Sequence, residues 1–276
     1  MHWLRREDLA QKTVSYAQNH EDILLARALP HRDGLYIDVG ANHPVFHSVT
    51  KLFADRGWEG INIEPSPPVF DVLRRERPGQ VNLNVGIGDR DATMTFYEAP
   101  TMHGWSTFRP ELATHYRNIG VPVVERPVAV RMLTQICEEH VGDRTIDFLK
   151  IDAEGFEEHA LIGMDFNRWR PRVVAVENAC PELWEPKIVD RGYHLAAFDG
   201  LNRFYVRAED AGLMEAFRAP VNVLDNFIPH EYVRLLEDVE RQAASRASLI
   251  DSFRRDAPRV ARKLRRVMGR LGRRAG

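Results

Sequence analysis

An α/β fold, with a largely parallel sheet covered by helices on both faces, is what this sequence predicts from three observations. Short apolar runs alternate with stretches of helical periodicity over the first ninety residues. The same alternation resumes at residue 146. The run Leu35–Val39 has the pattern of a buried strand and that at 146–151 is apolar-rich, and strands alternating with helices argue for a parallel sheet.

In chain order, Ile23, Leu24, Leu25 and Ala28 mark a short helix over 21–29, which Pro30 ends. Leu35-Tyr36-Ile37-Asp38-Val39 reads as a buried strand stopped by Gly40. Val45, Val49, Leu52 and Phe53 fall on one helical face, and Gly57 closes that element. A second strand is expected at 60–64, a helix at 69–76 before Pro78, and a third strand at 81–85. After 146–151 come a helix through Ala160 and Leu161, a strand at 173–176 and a helix at 181–190. Two strands at 194–198 and 203–206 flank an Asp199-Gly200-Leu201-Asn202 turn, a terminal hairpin. Residues 93–131 interrupt the pattern with a strand, a Gly104-Trp105-Ser106-Thr107 loop, a short helix and a Val-rich strand. An insertion beside the carboxyl edge of such a sheet is placed to wall a substrate site.

At 276 residues, 44% hydrophobic and 28% charged, the composition is that of an ordinary globular protein. No run approaches the ~18 apolar residues needed to cross a bilayer. The first residues lack the apolar core of a signal peptide. Cys137 and Cys180 have no metal-ligand spacing and read as reduced thiols, so the cytosol is expected. The net charge of −2 hides an asymmetry: ten Lys/Arg and two Asp lie from Asp251 onward, so an acidic body carries a basic tail. The expected organisation is an N-terminal helical segment at 1–34, a main domain at 35–230 containing the 93–131 insertion, and a basic helical tail at 231–276.

Four strand ends carry the candidate chemistry. Asp38-Val39-Gly40-Ala41-Asn42 ends the first strand in a turn that lets a ligand approach backbone N–H groups. It lacks the complete G-x-G-x-x-G run, which argues against a dinucleotide pyrophosphate cradle. Glu64 caps the second strand, where a carboxylate can accept both hydroxyls of an adenosine ribose; the alternative is a surface carboxylate. Asp89, in Gly86-Ile87-Gly88-Asp89, is placed either to meet an adenine amine or simply to make a turn. Asp152 and Glu154 follow the strand at 146–151 beside Lys150. Two carboxylates there are costly unless they bind something, and a helix N-cap role accounts for only one of them.

Tyr36-Ile37-Asp38-Val39-Gly40-Ala41-Asn42, together with Leu149-Lys150-Ile151-Asp152-Ala153-Glu154-Gly155-Phe156-Glu157, resembles the FkbM family of S-adenosylmethionine-dependent O-methyltransferases. Ser15-Tyr16-Ala17-Gln18-Asn19-His20-Glu21-Asp22, Asn62-Ile63-Glu64-Pro65 and Asp199-Gly200-Leu201-Asn202 support the resemblance, which spans roughly 13–230. It implies a Rossmann-like seven-stranded methyltransferase sheet, S-adenosylmethionine across the carboxyl ends of the strands, and methyl transfer to a hydroxyl of a sugar, glycan or polyketide. It further implies that Asp38, Gly40 and Asn42 line the methionine end of the cofactor, that Glu64 holds the ribose and that Asp89 lies on the adenine side. Gln18 and Asn19 would close over the cofactor. Asp152 and Glu154 would sit where acceptor and methyl group meet. His43-Pro44 departs from the family pattern, so His43 and His47 are either substrate-tuning groups or ordinary surface histidines.

A sugar hydroxyl is a weak nucleophile at neutral pH and needs a base or a metal. Asp152 or Glu154 is the first candidate base, and His43 or His103 the next. With Glu177, the two carboxylates are alternatively a Mg²⁺ site, since that ion prefers oxygen ligands. Two rivals remain: a catalytically silent module of the same fold serving assembly, and an NAD(P)-linked reductase. The two acidic pairs argue against the first, and the incomplete glycine fingerprint and missing Tyr-x-x-x-Lys against the second. In the tail, Phe253, Val260, Leu264, Val267, Met268 and Leu271 form one helical stripe flanked by arginines. Such a helix suits an anionic membrane surface, which would make the protein peripheral to the inner face of a membrane, or packing on its own body or a second copy. Nucleic acid is not expected, because no aromatic platform is interleaved with the arginines.

Overall fold

The computed structural model describes residues 11–271 and divides into two units, 1–227 and 228–276. The first contains helix α1 (Glu21–Ala28), strand β1 (Leu35–Val39), α2 (Lys51–Asp55), β2 (Glu59–Ile63), α3 (Pro67–Glu76), β3 (Val81–Leu83), β4 (Gly86–Ile87) and β5 (Ala92–Glu98). There follow α4 (Pro110–Asn118), β6 (Val124–Arg131), α5 (Leu133–His140), β7 (Phe148–Ile151), α6 (Glu157–Ile162), β8 (Val173–Glu177), α7 (Pro181–Val189), β9 (Tyr193–Phe198) and β10 (Asn202–Arg207).

Seven strands form the central sheet in the order β3-β2-β1-β7-β8-β10-β9. β3, β2, β1, β7 and β8 run parallel, while β10 lies antiparallel between β8 and β9 and forms the expected hairpin with β9. The order therefore reverses between β1 and β7, the position where open α/β sheets bind ligands outside the strand ends. Strand pleating sorts the core into two layers. Leu35, Ile37 and Val39 face one way, with Leu149, Ile151, Val174 and Val176, under α5, α6 and α7. Tyr36 faces the other way, with Phe148, Val173 and Ala175, under α1 and α2.

The insertion forms its own three-stranded sheet, β4-β6-β5, with β5 and β6 antiparallel. Its Phe96, Phe108, Val128 and Val130 pack with Phe156 in a third small core.

Two expectations are corrected. The helix expected from Val45 is reduced to five residues, Lys51–Asp55. Ahead of it, His43 Nδ1 accepts the Val45 and Phe46 N–H groups at 3.1 Å each, and His47 is left-handed at φ 55°. The apolar residues Val49, Leu52 and Phe53 still reach the core from this loop and its short helix. Conversely, α5 is not among the expected elements, although Leu133, Ile136 and Cys137 at i, i+3 and i+4 bury its face.

The second unit contains helix α8 (His230–Leu271), of 42 residues. Tyr232, Leu235, Val239, Leu249 and Ile250 on it are exposed. The side chains of the expected stripe from Phe253 to Leu271 lie outside the described residues, as do residues 1–10 of the N-terminal segment. Among the described residues, no helix is long and apolar enough to cross a membrane.

Candidate active site

A cleft of about 580 Å³ opens at the carboxyl ends of β1, β2 and β7. Gly40, Asn42, Glu64, Gly86, Asp152 and Glu154 line it, and Phe96, Phe108 and the Gly104–Ser106 turn wall it from the insertion side. Gly40 is required here for two reasons. It sits at φ 72°, and a Cβ on it would collide with the Asp152 carbonyl oxygen. The β1 and β7 ends can therefore touch only because position 40 has no side chain.

Glu64 is 6% exposed and faces the cleft. Its Oε2 accepts the Asn42 N–H at 2.9 Å and its Oε1 the Ser66 N–H at 2.8 Å. Burial pushes its pKa up to about 7, against the pull of those two N–H groups and the Lys150 ammonium. Each oxygen keeps a further lone pair, so the carboxylate can accept two more donors from the cleft. That is the pattern a ribose diol needs.

Asp38 is corrected. Pleating turns it to the Tyr36 face, beneath the floor, and it is not among the lining residues. Its Oδ2 accepts the Thr50 hydroxyl at 2.6 Å, and its Oδ1 lies 3.4 Å from Lys150 Nζ. Lys150 also donates to the Gly40 carbonyl at 2.9 Å and lies 3.2 Å from Asp152. Burial opposes its charge, but Asp152 and Asp38 outweigh burial and raise its pKa, so it stays an ammonium.

Glu154 and Gly155 are both left-handed, at φ 49° and 86°. The turn is held by Glu157, whose Oε1 accepts the Ala153 and Gly155 N–H groups at 3.0 Å each. The helix-start role thus falls to Glu157, and Asp152 and Glu154 remain at the cleft. Burial, then Asp152 and Glu157, push Glu154 up to about 8. Glu177 ends β8, and its Oε2 is buried with no hydrogen-bond partner. Burial, then Asp152 and Glu154, push it up to about 10. One ligand atom each from Asp152, Glu154 and Glu177 lie within 4.8 Å of one another. Tyr116 of α4, its ring 5.2 Å from that of Trp105, has its pKa raised by burial and by Glu154 and Glu177, and Thr107 Oγ1 donates to the Glu154 carbonyl at 2.7 Å, which ties the insertion to this turn.

The remaining expected residues lie outside the cleft lining. Asp89 is led away because the chain after Leu83 leaves the main sheet and pairs Gly86-Ile87 with β6; Gly86 and Ile87 take the cleft positions instead. Gln18 is exposed. Asn19 donates to the Asp199 carbonyl at 3.3 Å, and its N–H reaches Glu21 Oε2 at 2.8 Å. Glu21 Oε1 in turn accepts Asn202 Nδ2 at 2.8 Å. The two short motifs therefore hold each other, beside Glu177, whose register partner is Asn202. His43 is committed at Nδ1 to its own turn, His47 is exposed, and the His103 side chain lies outside the described residues. Thr50, Arg77 and Glu157 went unread in the sequence, because their partners are set by the fold.

Residues 38–230 match the family described as the methyltransferase FkbM domain. Among curated proteins, the chain is 27% identical over 179 residues to Methyltransferase sdnD of Sordaria araneosa, covering 54% of this chain and 66% of that one. It is 26% identical over 173 residues to Methyltransferase 1 of Beauveria bassiana, covering 56% of this chain and 66% of that one. The match thus spans slightly less than two thirds of each relative. Among solved structures, a TehB-like SAM-dependent methyltransferase from Corynebacterium glutamicum aligns at 11% identity and a TM-score of 0.36, over 68% of this chain and 87% of that one. At that score the likeness adds nothing to the fold, which the strand order defines by itself.

Proposed function

Because the chain belongs to the FkbM methyltransferase family, we propose that it transfers a methyl group from S-adenosylmethionine to a hydroxyl oxygen of a sugar, glycan or polyketide acceptor. The observation that carries this reading is the pairing of two acidic ends on one cleft: Glu64 at the end of β2, and Asp152 with Glu154 after β7. Glu64 is suited to hold the ribose hydroxyls, and the neighbouring Gly40 and Asn42 to line the methionine side of the cofactor. When bound, the cofactor supplies a methyl group on a positive sulfur, already an excellent leaving group. What the chain must add is alignment of the acceptor and removal of its proton. Glu154, at the cleft and with its proton affinity raised by burial and by Asp152, is suited to take that proton.

A second reading is favoured by the three carboxylates within 4.8 Å of one another. Asp152, Glu154 and Glu177 offer oxygen ligands suited to Mg²⁺, which would hold the acceptor oxygen's charge in place of a base. Access for the acceptor is supported by a second cavity of about 820 Å³ beyond Phe108, lined by Met94, Arg109, Phe156, Glu157 and Trp184. For the tail, the proposal is contact with anionic lipid or with a second copy. The test of the function is incubation with methyl-labelled S-adenosylmethionine and a panel of glycans and polyketides. Label on a hydroxyl oxygen supports the reading, and label only on nitrogen or carboxylate sinks it.

A further inference from the structure

Arg77, at the end of α3, is 5% exposed, yet among the described residues its five hydrogen-bond acceptors are all neutral. Nη1 donates to Thr50 Oγ1 at 2.7 Å, Asn62 Oδ1 at 3.1 Å and Tyr36 Oη at 3.2 Å. Nη2 donates to the Pro44 carbonyl and to Ser48 Oγ, both at 2.7 Å. A buried guanidinium without a touching carboxylate is an expensive arrangement. Three of the five acceptors belong to one segment, residues 40–50, which runs from the cleft floor to α2.

That segment is strained and has little regular structure. Gly40, Asn42 and His47 are left-handed, at φ 72°, 48° and 55°. Such a conformation persists only where its surroundings over-determine it. Two buried cations grip it. Lys150 holds its start at the Gly40 carbonyl, and Arg77 holds its middle and end. They are joined underneath: Thr50 accepts from Arg77 and donates to Asp38, which faces Lys150. The polar row Asn62, Asp38, Lys150 lies side by side across β2, β1 and β7, because register pairs Asn62 with Asp38 and Asp38 with Lys150.

We propose that Arg77 is a positioning residue which, without touching the cleft, holds residues 40–50 in the conformation that presents Gly40 and the Asn42–Glu64 pair to the cofactor. The proposal rests on reading the cleft as the S-adenosylmethionine site. A protein whose binding-competent state is only partly populated binds its ligand more weakly by that fraction. Arg77 also lines a solvent-open depression of about 700 Å³ beside Pro44, Lys51 and Gln80, so a small cation can reach its place when the side chain is removed.

The test is hydrogen exchange of the ligand-free, full-length protein, paired with titration by S-adenosylhomocysteine. In Arg77→Ala, the amides within 41–50 should lose nearly all their protection, exchanging much more than tenfold faster, while those of β7 and β8 are unchanged, and affinity should fall by about tenfold, as for a competent state populated about a tenth of the time. Millimolar guanidinium should restore both, and equal sodium chloride neither; a purely structural loss would not show this selectivity. Unchanged loop exchange, or acceleration shared equally by the whole sheet, overturns the proposal. If Arg77→Ala does not fold, Thr50→Val and Ser48→Ala decide the matter: selective acceleration of 41–50 supports it and unchanged exchange overturns it. Failure of the wild type to bind S-adenosylhomocysteine would instead sink the reading of the cleft, and the exchange data would still judge the grip on the loop.

Discussion

Lys150 donates to the carbonyl of Gly40 at 2.9 Å, so one buried ammonium ties the turn after β1 to β7, the strand that Asp152 follows. Those two strand ends approach so closely that a Cβ at position 40 would collide with the Asp152 carbonyl oxygen.

Lys150→Met should therefore be costly. It leaves the buried Asp38 carboxylate without its cation, and breaking a buried pair costs about 3–5 kcal/mol. Urea unfolding of the variant should show a loss of that size. A loss under about 1 kcal/mol, the range of exposed pairs, would mean that the ammonium does not hold the strand ends.

Stability should fall as pH rises from about 5 to 8. Burial raises Glu21 to about 7 and Asp22 to about 6, so folding favours their protonated forms. The stability this gives is complete below the unfolded carboxylate range and is lost as pH rises through those folded values. Glu21→Gln cannot titrate, so its melting temperature should decline less steeply over this window than that of the wild type. Parallel profiles would show that Glu21 is ionised throughout.

Glu154→Gln should lower turnover by roughly 10²–10⁴-fold with cofactor affinity nearly intact, the usual worth of a positioned acid–base group. Asp152→Asn, once shown to be folded, should behave similarly. The cation reading forecasts something else: wild-type activity lost in EDTA and regained with Mg²⁺. Full turnover in both amide variants would move the chemistry away from this cluster.

If the basic tail meets anionic lipid, full-length protein should co-sediment with anionic vesicles at low salt and a chain ending at Ser252 should not, with the difference shrinking at high salt. Equal recovery of both in the supernatant leaves self-association, read by sedimentation at rising protein concentration.

The sheet was legible because its strands are short apolar runs bounded by Gly40, Pro65 or an acid, and pattern alone places them. The segment after β1 was not. Val45, Val49, Leu52 and Phe53 spell a helix, but the decisive partner of that segment is Arg77, whose neighbours in sequence suggest only a helix ending before Pro78. Asp38 was read as a cleft residue because its motif ends a strand, whereas pleating and Thr50 turn it underneath. Placement of Glu64, Asp152 and Glu154 at the cleft lining followed from the sequence, because a carboxylate just past a parallel strand has few other places to point. Asp89 did not, because the departure of Gly86-Ile87 to a second sheet depends on pairing with β6, more than forty residues later.

The central claim, that this cleft holds S-adenosylmethionine through Glu64, is tested most directly by calorimetric titration of the wild type and Glu64→Gln with S-adenosylmethionine and with NAD. The account predicts binding of the first ligand only, weakened in the variant by about 1.5–3 kcal/mol, the worth of hydrogen bonds to a charged group. Tight NAD binding, or equal S-adenosylmethionine affinity in both proteins, would contradict it.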